Sequence, residues 1–349
     1  MSTVFDITAY GAVGDGITDC TAAIQAALDD AAKCQGVVSV PSGTFLTGKL
    51  QLGARVTLEG HSAWTFRSNG GSIFKLNDPA ADCLLEITGA FGCAIRGICF
   101  DGGELGEKIH GIHLCWPVYN GGGEEDTPTI DDCRISKFTG DGIHLEHVWC
   151  FSVRHSQMAY NGGAGLYIDG WDAFILDNWF SANGHAGILG GRHCSSVTAT
   201  GNRVEWNRKA GFLLPYSHCC NFTGNYFDRS FGPALALGYG KAESVAISGN
   251  IFHRNGRHNE EMTDPQESVH LSIKGGKNIA ITGNTMSVWM DDNCKGRPSP
   301  DYGTIIENCT GLVMQGNAWM GGALQEGILL KGENTECIVK DNPGGLFEN

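Results

Sequence analysis

Glu146 and Asp169 occupy the same position in two copies of one short motif, GDGIHLEH and GAGLYIDG, with His144 and Tyr167 two residues before them. If the two copies are neighbouring parallel strands, the carboxylates lie side by side at a backbone spacing of about 4.8 Å. Two like charges that close do not both ionise easily, so one carboxyl keeps its proton toward neutral pH. Such a pair is what cleavage of a glycosidic bond needs, and the short spacing favours the retaining geometry. Aromatic rings match the apolar face of a sugar, and His and Arg side chains match its polar edge. We therefore expect Glu146, Asp169, His144 and Asp141 as catalytic residues. His113, Tyr167, Trp171, Arg192, His185, Tyr216 and Tyr239 are expected to hold substrate. The bland alternative is a solvated acidic stripe, which would not gather so many His and Trp residues.

These side chains meet only if the chain is a stack of repeats. The segments IHGIHL, GDGIHL, GAGLYI, HAGILG, KAGFLL, GPALAL, ESVHLS and QEGILL share one pattern. A second register is an asparagine after a strand, at Asn178, Asn202, Asn225, Asn250, Asn284, Asn317 and Asn342, in steps of 24, 23, 25, 34, 33 and 25 residues. A period of this size marks a solenoid, here of about 10–11 coils. Stacked asparagines satisfy the backbone groups of a corner, coil after coil. Within each xGIxLx strand the two apolar residues point inward and their neighbours outward. The first outward column reads His113, His144, Tyr167, Leu189, Leu213, Ala236 and His270; the second reads Cys115, Glu146, Asp169, Gly191, Pro215 and Gly238. The longer steps place insertions at 116–129, 254–266 and 291–300, where binding loops tend to sit.

Residues 1–50 differ from this pattern. VFDITAY reads as a strand, and TDCTAAIQAALDDAAKC as an amphipathic helix with Thr18 or Asp19 as N-cap. GVVSVPSGTFLTG reads as two strands around a turn. A solenoid end needs a cover, and this helix is the expected cap, with residues 51–349 as one continuous solenoid.

A net charge of −14 argues against a nucleic-acid partner. No apolar run is long enough to span a bilayer, so no membrane partner is expected. MSTVFDITAY carries neither a basic nor an apolar signal region, as expected of a cytoplasmic chain, or of a secreted one whose signal has been removed. The 14 cysteines form no CxxC and no zinc spacing, so they read as reduced, core-filling thiols.

The stretch AYGAVGDGITDCTAAIQAALDDAAKCQGVVSVPSGTFLTG resembles the N-terminal cap of the pectate-lyase-like superfamily. That resemblance implies a single-stranded right-handed parallel β-helix. It also implies activities ranging from polygalacturonases and rhamnogalacturonases through uronan lyases and epimerases to phage tailspikes. One fold hosts many chemistries, so the reaction is not implied. Asp141, Asn161 and His185 stand at successive corners and resemble the polygalacturonase-type site. Asn161-Gly162-Gly163 replaces its Asp pair, which puts that inverting hydrolysis in doubt. GDGIHLEH also resembles the Asp-Gly-x-x-Leu step of the inulin fructotransferase and difructose-dianhydride hydrolase family. Those proteins are often trimeric, so a homotrimer is an expectation.

Arg208, Lys209, Arg229 and Arg254 fall at roughly equivalent corners, where they would either grip an anionic sugar or pair with Glu205, Asp228 and nearby acids. Uronate binding would allow lyase or epimerase chemistry. Calcium would then be the expected cofactor, with Asp291, Asp292, Asn293, Glu260 and Glu261 as oxygen ligands; otherwise no cofactor and no metal is expected. The reading carried forward is a carbohydrate-active enzyme that cleaves glycosidic bonds of an oligo- or polysaccharide with a carboxylate pair. Its alternatives are a uronan lyase or epimerase, a fructotransferase or dianhydride hydrolase, and a non-catalytic glycan-binding protein.

Overall fold

The computed structural model describes residues 3–119, 124–257 and 267–348. It divides into two compact units, 1–179 and 180–349. The first opens with the strand Val4–Asp6, which pairs in parallel with Val37–Ser39; that strand pairs in turn with Thr57–Glu59. The expected strand over VFDITAY stops at Asp6, because Asp6 accepts the Thr8 N–H and turns the chain into a 3-10 turn, Ile7–Tyr10. The helix Thr21–Cys34 buries Ile24, Ala27, Leu28 and Ala31. Their i, i+3, i+4, i+7 spacing makes one apolar stripe. Burying Ile24 and Leu28 is worth about 1.5–3 kcal/mol each. The helix start lies at Cys20, which makes no side-chain cap bond. Asp19 does the capping from one residue earlier, accepting the Thr21 N–H at 3.0 Å and the Thr21 hydroxyl at 2.6 Å.

Parallel coils follow. One coil runs through Cys83–Glu86, Ala94–Arg96 and Ile98–Asp101. The next runs through His110–Cys115, Thr129–Asp131 and Arg134–Ser136. In the coil after that, the 12-residue strand Ile143–Arg154 carries the chain through the first corner, with His147 at φ 57° and Cys150 at φ 55°. Leu166–Leu176 repeats this path beside it. The expected inward columns are found. Ile112, Ile143 and Leu166 pair in register, as do Leu114, Leu145 and Ile168, and all six are buried.

In the second unit the strands Ala186–Thr200, Ala210–His218 and Leu235–Ser248 continue the same pattern, followed by Val269–Lys274, Tyr302–Glu307 and Glu326–Lys331. The asparagine register is an actual ladder. The Oδ1 atoms of Asn225, Asn250, Asn284, Asn317 and Asn342 each accept the backbone N–H of the preceding member at 2.9–3.0 Å. One expected outward residue is misplaced. Ser272, not His270, pairs with Ala236, and His270 is fully buried. Val269, Leu271 and Ile273 alternate, so two registers differing by two residues fit the apolar pattern equally, and only packing chooses between them. The insertion at 291–300 contributes to an antiparallel hairpin of Trp289–Asp291 with Lys295–Ser299. Parts of the other two insertions, with Glu260 and Glu261, lie outside the described residues. Among the described residues no helix is long and apolar enough to cross a membrane.

Candidate active site

The outward face of the first unit is laid out by strand register. His113, His144 and Tyr167 are successive partners in one column, and Cys115, Glu146 and Asp169 in the next. Glu146 and Asp169 are thus neighbours across one strand pair, as their motif positions imply. The Glu146 side chain is 35% exposed, whereas Asp169 is buried. The two carboxylates therefore differ in environment from the outset.

Behind Glu146 lies a hydrogen-bonded row. His144 Nδ1 is 2.8 Å from Asp141 Oδ2, and His144 Nε2 is 3.7 Å from Glu146 Oε2. A carboxylate only accepts, so His144 donates through Nδ1, which leaves Nε2 as the ring nitrogen facing Glu146. Asp141 is itself held in place: its Oδ1 accepts the Ala164 N–H at 2.6 Å, and its own N–H donates to His110 Nδ1 at 3.0 Å. A Cβ on Gly163 would run into Asp141 Oδ1, which is why that turn needs glycine. Cys115 Sγ donates to Glu146 Oε2 at 3.3 Å; burial, then this carboxylate, push the thiol up to about 11.

The Tyr167 ring stacks on His144, with centroids 4.4 Å apart and planes 9° from parallel. Burial, followed by the charges of Asp169, Glu146 and Asp141, pushes the phenol up to about 12, so Tyr167 is a proton donor across the neutral range. His110 lies 4.4 Å from His144 and His113 lies 5.4 Å from it. Burial and then the neighbouring His144 lower His110 to about 4, so it is neutral near pH 7.

His113, expected on substrate, is instead committed through Nδ1 to Glu86 Oε2 at 2.8 Å. Burial opposes the Glu86 charge, but His113 and the Thr88 hydroxyl and N–H outweigh it and hold the carboxyl down to about 2. Lys49 Nζ stands 3.5 Å from the same oxygen. Glu86 and His110 were not singled out by sequence. Glu86 belongs to CLLEIT, which lacks the motif glycine, and His110 was read only as a strand start. The pairing His113↔Glu86 is the signal that finds the first.

Cys83, Glu86 and His113, and likewise His110, Asp141 and His144, each bring three ligand-type atoms within 4.8 Å. The first set already holds the Lys49 ammonium, and in the second His110 Nδ1 already accepts a backbone N–H. Both are therefore hydrogen-bonded clusters.

Trp171 lies within its strand, in register with Trp149, and its ring is 4.5 Å from that of Tyr119. Trp149 Nε1 donates to Asp172 at 2.7 Å, which fixes the indole. Tyr119 and Trp149 join Trp171 as an aromatic platform that sequence did not pick out whole. Asn161 is a corner residue: its Oδ1 accepts the Phe138 N–H at 3.2 Å and its amide donates to Ile135 O at 3.2 Å.

Arg192, His185, Tyr216 and Tyr239 belong to the second unit. Tyr216 is 41% exposed on the strand Ala210–His218. The Tyr239 side chain lies outside the described residues. Two members of the basic row, Arg229 and Arg254, are ion-paired. Asp228 binds Arg229 at 2.7 Å and Arg254 at 2.8 Å, and Asp292 binds the same two at 2.6 and 3.3 Å. Arg257 takes Asp291 at 2.8 Å. Two residues of the expected sugar clamp, Arg229 and Arg254, thus pair with Asp292 of the expected calcium ligands.

The chain belongs to the right-handed β-helix family: the model of the right handed beta helix region matches residues 110–286 and 191–348. Among solved structures it is similar to the lidless DFA-IIIase of Arthrobacter chlorophenolicus A6, at 15% identity and a TM-score of 0.71 over 100% of both chains. The mannuronan C-5 epimerase AlgE4 A-module of Azotobacter vinelandii aligns at 18% identity and TM-score 0.61, over 99% of this chain and 100% of that one. The Dettilon tailspike protein aligns at 15% and 0.62, over 94% and 68%. At these identities the likeness is one of fold. No curated protein matches the chain in sequence.

Proposed function

We propose that the protein is a carbohydrate-active enzyme that cleaves glycosidic bonds on the outward face of its first unit. The observation that carries this reading is the register pairing of Glu146 with Asp169, with the Asp141–His144 pair behind Glu146. Glu146, the exposed member, exchanges a proton with the glycosidic oxygen, and His144 holds it in place and shares that proton. Asp169 supplies the fixed negative charge that faces the cationic sugar of the transition state. Tyr167 donates a hydrogen bond to the substrate, and Tyr119, Trp149 and Trp171 offer ring faces. In this reading Glu146, Asp169, His144 and Asp141 are the catalytic residues, and His113 supports Glu86 through its 2.8 Å contact.

The rival is a uronan lyase or epimerase, favoured by the stacked Tyr167–His144 pair, which joins a phenol donor to an imidazole. Two of the four cations that sequence offered it, Arg229 and Arg254, are already ion-paired. Incubation with neutral glycans and uronans, with products weighed by mass spectrometry, tests the proposal. Products one water heavier, lost in Glu146→Gln and in Asp169→Asn, support it. Ultraviolet-absorbing products of unchanged mass sum point to the lyase. Water-free products that do not absorb point to a transferase, and folded protein without any product points to a binder.

A further inference from the structure

The second unit contains a cavity of about 290 Å³. Its walls are apolar: Leu213 and Ala236, register neighbours on the outward column, with Pro215 and Pro233. Lys209 and Glu267 stand at the lining as the charged members, and His185 completes it. Both charged side chains are exposed, and among the described residues neither has an ion-pair or hydrogen-bond partner. Lys209 is anchored through its backbone, whose N–H donates to His185 O at 2.9 Å.

We infer that this cavity is a binding site for a single uncharged sugar ring. The volume lies at the lower edge of small-ligand cavities, which run from about 300 to 1,000 Å³, so it admits one ring and no extended chain. The apolar walls match the C–H face of a sugar, and their desolvation favours a ligand with such a face. The opposite charges decide the ligand's own charge. A uronate would gain at Lys209 and lose at Glu267, and an amino sugar would do the reverse. A hydroxyl accepts from an ammonium and donates to a carboxylate, so a neutral polyol satisfies both. This inference rests on the proposal that the protein handles carbohydrate, and it names a neutral sugar as the ligand of this cavity.

The test uses the full chain carrying Glu146→Gln, so that binding is read without turnover. Glucose, fructose and glucuronate are titrated separately by calorimetry and by saturation-transfer NMR. A neutral sugar is expected to bind saturably, and glucuronate at least about tenfold more weakly, a difference of about 1.4 kcal/mol. Leu213→Trp fills the cavity and is expected to weaken the neutral sugar at least tenfold. Lys209→Ala with Glu267→Gln, on the exposed lining where folding is not at stake, is expected to do the same. Absence of saturable binding by either neutral sugar overturns the inference. So does binding that both sets of substitutions leave unchanged, or glucuronate bound as well as the neutral sugars. None of these outcomes touches the first-unit proposal, which fails separately if Glu146→Gln still turns substrate over.

Discussion

Two clusters of charge, one in each unit, differ in how fully their side chains are paired. In the first unit Asp141, His144 and Glu146 form an open row: Glu146 is about one-third exposed, and His144 leaves one nitrogen facing it. In the second, Asp228 is wholly buried and is gripped by Arg229 and Arg254, which Asp292 pairs again from outside. The first cluster has hydrogen-bonding capacity left for a ligand, and the second has used its own.

This contrast can be broken most directly at Glu146 and Asp169. Glu146→Gln and Asp169→Asn are each expected to lower turnover about 10²–10⁴-fold with the circular dichroism spectrum unchanged. Full activity in both would reduce the row to a solvated stripe. The opposite pattern is expected at Asp228. Asp228→Ala leaves Arg229 and Arg254 short of their shared anion and is expected to cost about 3–5 kcal/mol in urea unfolding, with activity per folded molecule retained. His144→Gln sharpens the first-unit side: kcat should fall about 10–100-fold with KM little changed, and the acid limb of the pH profile should move. A purely structural His144 would change stability and leave the pH profile where it was.

Acid stability discriminates next. Glu86 is held down to about 2 when folded, so its contribution is present above its unfolded value near 4.3 and is lost as pH falls through about 2. His110, lowered to about 4, takes up a proton more readily unfolded, so stability drops as pH falls from about 6.5 to 4. The urea midpoint of the native protein should therefore decline from pH 6.5 downward. His110→Phe should flatten the upper part of that decline, and Glu86→Gln the lower. The smallest expected effect concerns thiols. Cys34, Cys219 and Cys294 are exposed, so an aromatic disulfide reagent should titrate these three quickly, the half-buried Cys115, Cys150 and Cys337 more slowly, and the eight buried thiols only on unfolding.

Much of this was legible before any coordinates. The repeat placed Glu146 beside Asp169 and His144 beside Tyr167, because parallel strands one coil apart stack equivalent positions. The ladder from Asn202 to Asn342 was likewise readable, since a corner that repeats must satisfy the same backbone groups each time. The misreading of His270 shows the limit of the same logic: a period of two cannot distinguish registers that differ by two. Glu86 was missed because its segment lacks the glycine that marks the motif, although its backbone stacks with it, and His110 because it was read only as a strand start.

What the sequence by itself determined is the coil, its inward and outward columns, and, His270 apart, the residues those columns display in the first unit and beyond. These depend on local periodicity and backbone hydrogen bonding, which every repeat restates. Only the tertiary structure decided which displayed charges are spent. Arg229 and Arg254 find Asp292 from 38 to 63 residues away, His113 finds Glu86 from the preceding coil, and Asp141 finds His144 across a turn. Side-chain pairing depends on rotamers and on approach between segments, and neither leaves a trace in spacing along the chain.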